Sequence, residues 1–185
     1  MQNLEHADIL ERLAQTAERL SYNANWNPSH EGDSEMRIAR NGRWYHQGGE
    51  IKRVGLIKLF SRLLRREGDR YFLVTPVEKL SIEVEDAPFV SINIEFQGEG
   101  DEQVVYVTTN LDDTLCIGDQ HPLVVTIDPQ TQEPSPYVSI GASLSVLLQR
   151  SDFYQLVERA EKREIDGRKV LGVLSQGRFY ILGDY

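Results

Sequence analysis

The stretch that decides the fold is Tyr71-Phe72-Leu73-Val74-Thr75-Pro76-Val77-Glu78-Lys79-Leu80-Ser81-Ile82-Glu83-Val84-Glu85-Asp86-Ala87-Pro88-Phe89-Val90. Residues 71–75, 79–84 and 89–96 are rich in β-branched and aromatic side chains, which suit a pleated, half-buried surface. Pro76 and Pro88 punctuate them, and proline near Asp or Glu marks a turn. Strand–turn–strand repeated twice over so short a span predicts antiparallel pairing.

Outward from this core the same pattern continues. Strands are expected near 104–108, 115–117, 123–127 and 137–140, the last after a loop carrying Pro129, Pro134 and Pro136. The chain ends in a hairpin, 170–175 and 178–182, around Gln176-Gly177. Asn41-Gly42 predicts a type I′ turn and Gly48-Gly49 a second turn. Three helices interrupt the sheet pattern. Residues 4–20 carry Ile9, Leu10, Leu13, Ala17 and Leu20 at helical spacing. In 54–65, Leu56, Phe60, Leu63 and Leu64 share one face, and Lys58, Arg62 and Arg65 line another. Ser151 caps a predicted helix to about residue 164. Residues 21–34 and 97–102 read as linkers. The fold class is α+β, mostly antiparallel sheet with a few helices. The expected organisation is an N-terminal helix and linker (1–35), an α+β domain (36–97) and a second α+β domain (98–185).

A faint internal repeat supports two halves. Val74-Thr75 precedes Val84-Glu85-Asp86-Ala87-Pro88-Phe89-Val90, and 33 residues later Val107-Thr108 precedes Ile117-Gly118-Asp119-Gln120-His121-Pro122-Leu123-Val124.

The 185 residues are 40% hydrophobic and 26% charged, a globular composition with material for a core. No apolar run approaches the ~20 residues that cross a bilayer, and residues 1–20 lack a signal-peptide segment, so cytoplasmic location and no membrane partner are expected. Cys116, the one cysteine, sits in an apolar run and reads as structural. The four histidines are scattered, and the acids Glu83, Glu85, Asp86, Asp112, Asp113 and Asp119 match no calcium loop. No metal and no cofactor is expected. Nucleotide-binding and hydrolase motifs are absent.

The net charge of −9 is unevenly spread. Residues 37–66 hold nine basic residues and one acid, Glu50; residues 78–133 hold thirteen acids and one base, Lys79. Three readings of the basic island stand together. Its guanidinium and ammonium groups suit a phosphate, with Trp44 or Tyr45 stacking on a ring; it is a solvated face; or it docks on the acidic block. The acidic block disfavours a long nucleic acid.

Residues 36–90 resemble the bacterial family called domain of unknown function 1285. The resemblance rests on Arg37-Ile38-Ala39-Arg40-Asn41-Gly42-Arg43-Trp44, Leu63-Leu64-Arg65-Arg66-Glu67, Leu73-Val74-Thr75-Pro76-Val77-Glu78-Lys79 and Val84-Glu85-Asp86-Ala87-Pro88-Phe89. A looser likeness continues through Thr109-Asn110, His121-Pro122-Leu123, Pro136-Tyr137 and Phe153-Tyr154-Gln155-Leu156-Val157. The resemblance implies an internal duplication, a second half similar to pleckstrin-homology-like domains, a nucleotide-like ligand at the interface between the halves, and a signalling role. It carries Arg40, Trp44, Arg65, Thr75, Glu78, Lys79, Glu85 and Asp86 as candidate ligand residues; Arg53 and Lys58 join them from the basic island.

Three functions follow. The first is a non-catalytic ligand-binding and signal-transduction module for a nucleotide-like or phosphorylated small molecule, with a signalling protein as partner. The second is a protein-interaction scaffold without a small ligand. The third, disfavoured, is an enzyme on a phosphorylated substrate with Glu78 or Asp86 as acid or base; a carboxylate needs a tuned pKa and a placed substrate for that work.

Overall fold

The computed structural model describes residues 2–19, 25–141 and 143–185. It divides into two compact units, 1–86 and 87–185. Leu20 and residues 21–24, in the expected helix end and linker, lie outside the described residues.

The N-terminal unit opens with helix α1, Gln2–Arg19. Strands β1 (Glu31–Ile38), β2 (Trp44–His46) and β3 (Gly49–Glu50) follow as an antiparallel meander. Helix α2, Val54–Ser61, leads to a second meander of β4 (Leu64–Glu67), β5 (Arg70–Val74) and β6 (Lys79–Val84). The first and last strands, β1 and β6, pair in parallel at the centre of the sheet. Its order is β3-β2-β1-β6-β5-β4. Side chains from α1, α2 and the sheet bury together: Leu13, Ile38, Trp44, Phe60 and Leu73 are fully excluded from solvent.

Three expectations in this unit are corrected. The 21–34 linker is too long, because β1 begins at Glu31 and pairs there with Lys79. The helix expected to reach residue 65 stops at Ser61, where Leu63 and Leu64 turn inward and start a strand. Arg65 therefore leaves the face it was to share with Lys58. The turns shift as well. At Asn41-Gly42 only Gly42 is left-handed, at φ 79°, and the amide N–H of Gly42 donates to Ala39 O (2.8 Å) while that of Ala39 donates to Arg43 O (2.9 Å). That is a three-residue bulged loop. The I′ geometry, two successive positive φ values, falls at Gln47-Gly48.

The C-terminal unit repeats the plan. Strands β7 (Phe89–Gln97), β8 (Val104–Thr109) and β9 (Thr114–Cys116) form one meander. Strands β10 (Leu123–Ile127), β11 (Pro134–Ile140) and β12 (Leu144–Leu147) form the next. The first and last strands, β7 and β12, again pair in parallel. The order β10-β11-β12-β7-β8-β9 is the same sequence of strands as in the first unit, counted from the opposite edge. The chain is thus an α+β protein of two related halves, each a pair of three-stranded meanders joined by a central parallel pair. The duplication is real, but the 33-residue repeat is not its trace. Val74-Thr75 closes the fifth strand of its unit, whereas Val107-Thr108 lies in the second strand of the other.

Helix α3, Arg150–Glu158, and a separate sheet of β13 (Glu161–Ile165), β14 (Arg168–Ser175) and β15 (Arg178–Asp184) complete the second unit. The helix expected to reach 164 ends at Glu158, since 161–165 pairs with β14. The 97–102 segment is no domain linker. It is the connection between paired strands β7 and β8, and the units part instead between Asp86 and Ala87.

Candidate functional site

All ten candidate ligand residues fall in the N-terminal unit, where seven gather into three groups and three stand apart.

The first group forms at the ends of β1 and β6. The bulged loop turns the main-chain N–H of Arg40 toward β6, where the Glu85 carboxylate accepts it at 2.8 Å. The Arg37 guanidinium donates to the other oxygen of the same carboxylate. The Glu85 N–H donates in turn to Ile38 O, 3.0 Å, extending the parallel ladder. Arg40 reaches Asp86 through Nε at 3.1 Å. Arg37 lies over the Tyr45 ring, 4.5 Å from its centre. The Arg40 N–H, aided by Arg37 against a smaller opposing effect of burial, holds the Glu85 carboxyl below the usual carboxylate range. A guanidinium and a main-chain N–H converging on one anion are the donors that also hold phosphates. Here the anion is supplied by the chain itself.

The second group is the β5–β6 turn. Thr75 is fully buried; its hydroxyl accepts from the N–H groups of Val77 (3.3 Å) and Glu78 (3.1 Å). The turn presents the buried Glu78 carboxylate to α1, where Arg12 donates twice, at 3.0 Å each. The third group surrounds Lys79, whose Nζ stands 2.5 Å from Glu31 and 3.1 Å from Glu67, and 4.8 Å from the centre of the Phe72 ring. Arg65 closes it, 2.5 Å from Glu67, with a second hydrogen bond of 2.6 Å to Trp26 O. Glu31, then Glu67, raises the Lys79 ammonium above its usual value. Burial works to raise the Glu67 carboxyl, but Lys79 and Arg65 together bring it below its usual value.

Two expectations are corrected. Trp44 cannot stack on a ligand: it is fully buried, its ring 6.3 Å from that of Phe60. The aromatic beside the arginines is Tyr45, on the opposite face of β2. Arg53 and Lys58 also stand apart. Arg53 is the exposed residue capping the start of α2, and Lys58 is half-buried on that helix. Sequence reasoning missed Arg37 and Arg12 as members. Arg37 was discoverable, since it alternates with Met36 and Ile38 and so points away from the core. Arg12 was not, because its partner lies 66 residues away.

The basic island is largely matched within its own unit. Arg43 lies 3.8 Å from Glu50 and Arg66 lies 3.6 Å from Asp69. Among the described residues no three His, Cys, Asp or Glu side chains converge as metal ligands, and no helix is long and apolar enough to cross a membrane. Burial pushes the Cys116 thiol up, away from the reactive thiolate.

Comparison with known proteins agrees with this architecture. The model "Domain of unknown function (DUF1285), N-terminal domain" matches residues 23–87, and "Protein of unknown function (DUF1285), C-terminal domain" matches 88–182. Both bounds meet at the division between the units. No curated protein matches. The crystal structure of a DUF1285 family protein from Silicibacter pomeroyi DSS-3 is similar at 41% identity and a TM-score of 0.80, over 93% of this chain and 94% of that one. One from Shewanella baltica OS155 is similar at 26% identity and a TM-score of 0.52, over 66% of this chain and 90% of that one. With family models matching residues 23–182 and a relative at 41% identity over 93% of the chain, the chain belongs to the DUF1285 family.

Proposed function

We propose that this chain is a cytoplasmic, non-catalytic ligand-binding module that relays the presence of a phosphorylated, nucleotide-like small molecule to a protein partner. The phosphate takes the place of the Glu85 carboxylate against Arg37 and the Arg40 N–H, and Tyr45 flanks the bound group. One observation carries this reading: a carboxylate held by a guanidinium and a main-chain amide at a solvent-accessible edge, with Glu85 38% and Arg40 67% exposed. An internal anion at an open site can be exchanged for an external one, and the release of Glu85 gives binding a structural consequence. Asp86 is the last residue of its unit, so the cradle ends where the chain passes into the second half. Non-catalytic action is favoured because the acids that would serve as acid or base, Glu78 and Asp86, are engaged by Arg12 and Arg40.

A second reading, a scaffold without a small ligand, is favoured by the ion pairs that match Arg37, Arg40, Arg65 and Lys79 with acids of the same unit. Thermal unfolding against nucleotides and pyrophosphate separates the two. A ligand at a hundred times its dissociation constant stabilises the folded state by about 2.7 kcal/mol. The module reading predicts a shift in the wild type that Arg37→Ala/Arg40→Ala abolishes. A shift that survives that double substitution contradicts the site, and no shift for any phosphorylated compound leaves the scaffold.

A further inference from the structure

The N-terminal unit carries a second feature that the cradle does not use. Helices α1 and α2 are in contact, Leu13 and Ala17 of α1 are buried, and beside the seam between the helices runs a groove of about 1060 Å³. Its lining is apolar along the middle: Leu10 and Ala14 from α1, one turn apart, and Ile51, Leu56 and Leu59 from the α2 side. Val54, at the first position of α2, is 53% exposed. The edges are charged with opposite sign. The α1 edge carries Glu11 and Glu18, two turns apart, and the α2 edge carries Lys52 and Arg53; all four are exposed. Glu50, also on the α2 edge, lies 3.8 Å from Arg43.

An apolar stripe bounded by an acidic wall and a basic wall has a particular symmetry. Turned about a two-fold axis, its acidic wall meets the basic wall of an identical surface, twice over. Closed dimers are built on such self-complementary patches. A groove between two helices also accepts the ridge of a third. Laying the α1 of one copy along the groove of the other covers Leu10, Ala14, Leu56 and Val54 and places charges of opposite sign opposite one another. A polyanion or an acyl chain would satisfy the basic wall but meet repulsion from Glu11 and Glu18. We propose that the α1–α2 groove is a dimerisation surface for a second copy of this chain, with Glu11 and Glu18 of each protomer facing Lys52 and Arg53 of its partner.

Complementary charge sets orientation and partner choice more than raw affinity, so charge reversal is the sensitive probe. Sedimentation velocity on the full chain over a dilution series is predicted to show a concentration-dependent dimer. Glu11→Lys/Glu18→Lys makes both walls basic, and Lys52→Glu/Arg53→Glu makes both acidic. Each variant alone is predicted to sediment as a monomer, with its melting temperature close to that of the wild-type monomer because the exchanged side chains are exposed. An equimolar mixture of the two is predicted to recover the dimer. A wild type that stays monomeric at every concentration overturns the proposal. So do variants that remain dimeric, or a mixture that remains monomeric.

Discussion

The Arg12 guanidinium donates through Nε and a terminal nitrogen to the two oxygens of Glu78, 3.0 Å each, across 66 residues of chain. The pair fastens α1 to the β5–β6 turn, and it is asymmetric: the Glu78 side chain is 8% exposed, that of Arg12 44%. Removing the arginine leaves a buried carboxylate without its guanidinium, which costs roughly 1–3 kcal/mol. Arg12→Ala is therefore predicted to destabilise the chain to urea by about that amount. Arg12→Ala/Glu78→Gln, which removes the charge as well, is predicted to cost less than the sum of the single changes. Strict additivity would show that the two residues are not coupled.

Lys79 and Glu67 contribute at opposite ends of the pH range. The Glu67 carboxyl lies below its usual 4.5 in the folded state, so its contribution is present above that pH and is lost as the pH falls through the folded value. The Lys79 ammonium lies above its usual 10.5, so its contribution is present below that pH and is lost as the pH rises past the folded value. Unfolding free energy measured against pH is predicted to be level near neutrality and to fall at both ends. Glu67→Gln is predicted to make the acid limb shallower, and Lys79→Met the alkaline limb. An unchanged acid limb in Glu67→Gln contradicts the assignment.

Trp44 separates core from ligand site. It is fully buried against Phe60, and its indole N–H has no hydrogen-bond partner among the described residues. Trp44→Ala is predicted to cost about 3–5 kcal/mol, as for other large core aromatics. Trp44→Phe, which deletes the unpaired N–H, is predicted to cost clearly less. In the wild type, acrylamide is predicted to quench half-buried Trp26 and spare Trp44. Quenching of Trp44 by an added nucleotide would contradict its place in the core.

Gly172 and Gly118 predict opposite tolerances in the second unit. Gly172 sits at a register shift between β14 and β15, where a Cβ would lie 2.5 Å from Tyr180 O and as close to the Phe179 ring. Backbone cannot withdraw, so Gly172→Ala is predicted to destabilise by roughly 1–3 kcal/mol. A Cβ at Gly118 would meet the end of the Gln176 side chain, which can swing aside. Gly118→Ala is predicted to melt closer to the wild type. The reverse order in calorimetry would contradict both assignments.

Much of this was legible in the sequence where local chemistry decides it. The run from Tyr71 to Phe96 reads as strands because β-branched and aromatic residues alternate with proline turns, and the strands form there. Helix ends were not legible at Ser61 or Glu158, because pairing with β5 and β14 outweighs the helical period in 64–67 and 161–165. The duplication lies in strand order and has little trace in side chains. Its two copies differ in connection, with α2 between the third and fourth strands of one and a short loop in the other. Of the site, the charges were visible but their partners were not: Arg37 with Glu85, Arg12 with Glu78 and Lys79 with Glu31 are each set by tertiary pairing.

The central claim is that the Glu85 carboxylate stands where an external phosphate binds. Calorimetric titration of pyrophosphate into the wild type, Glu85→Gln and Arg37→Ala/Arg40→Ala tests it most directly. Removing the internal competitor while keeping a hydrogen-bond acceptor is predicted to tighten binding several-fold in Glu85→Gln, and the arginine variant is predicted to lose it. Glu85→Gln binding no more tightly than the wild type, or no binding to either, would contradict the account.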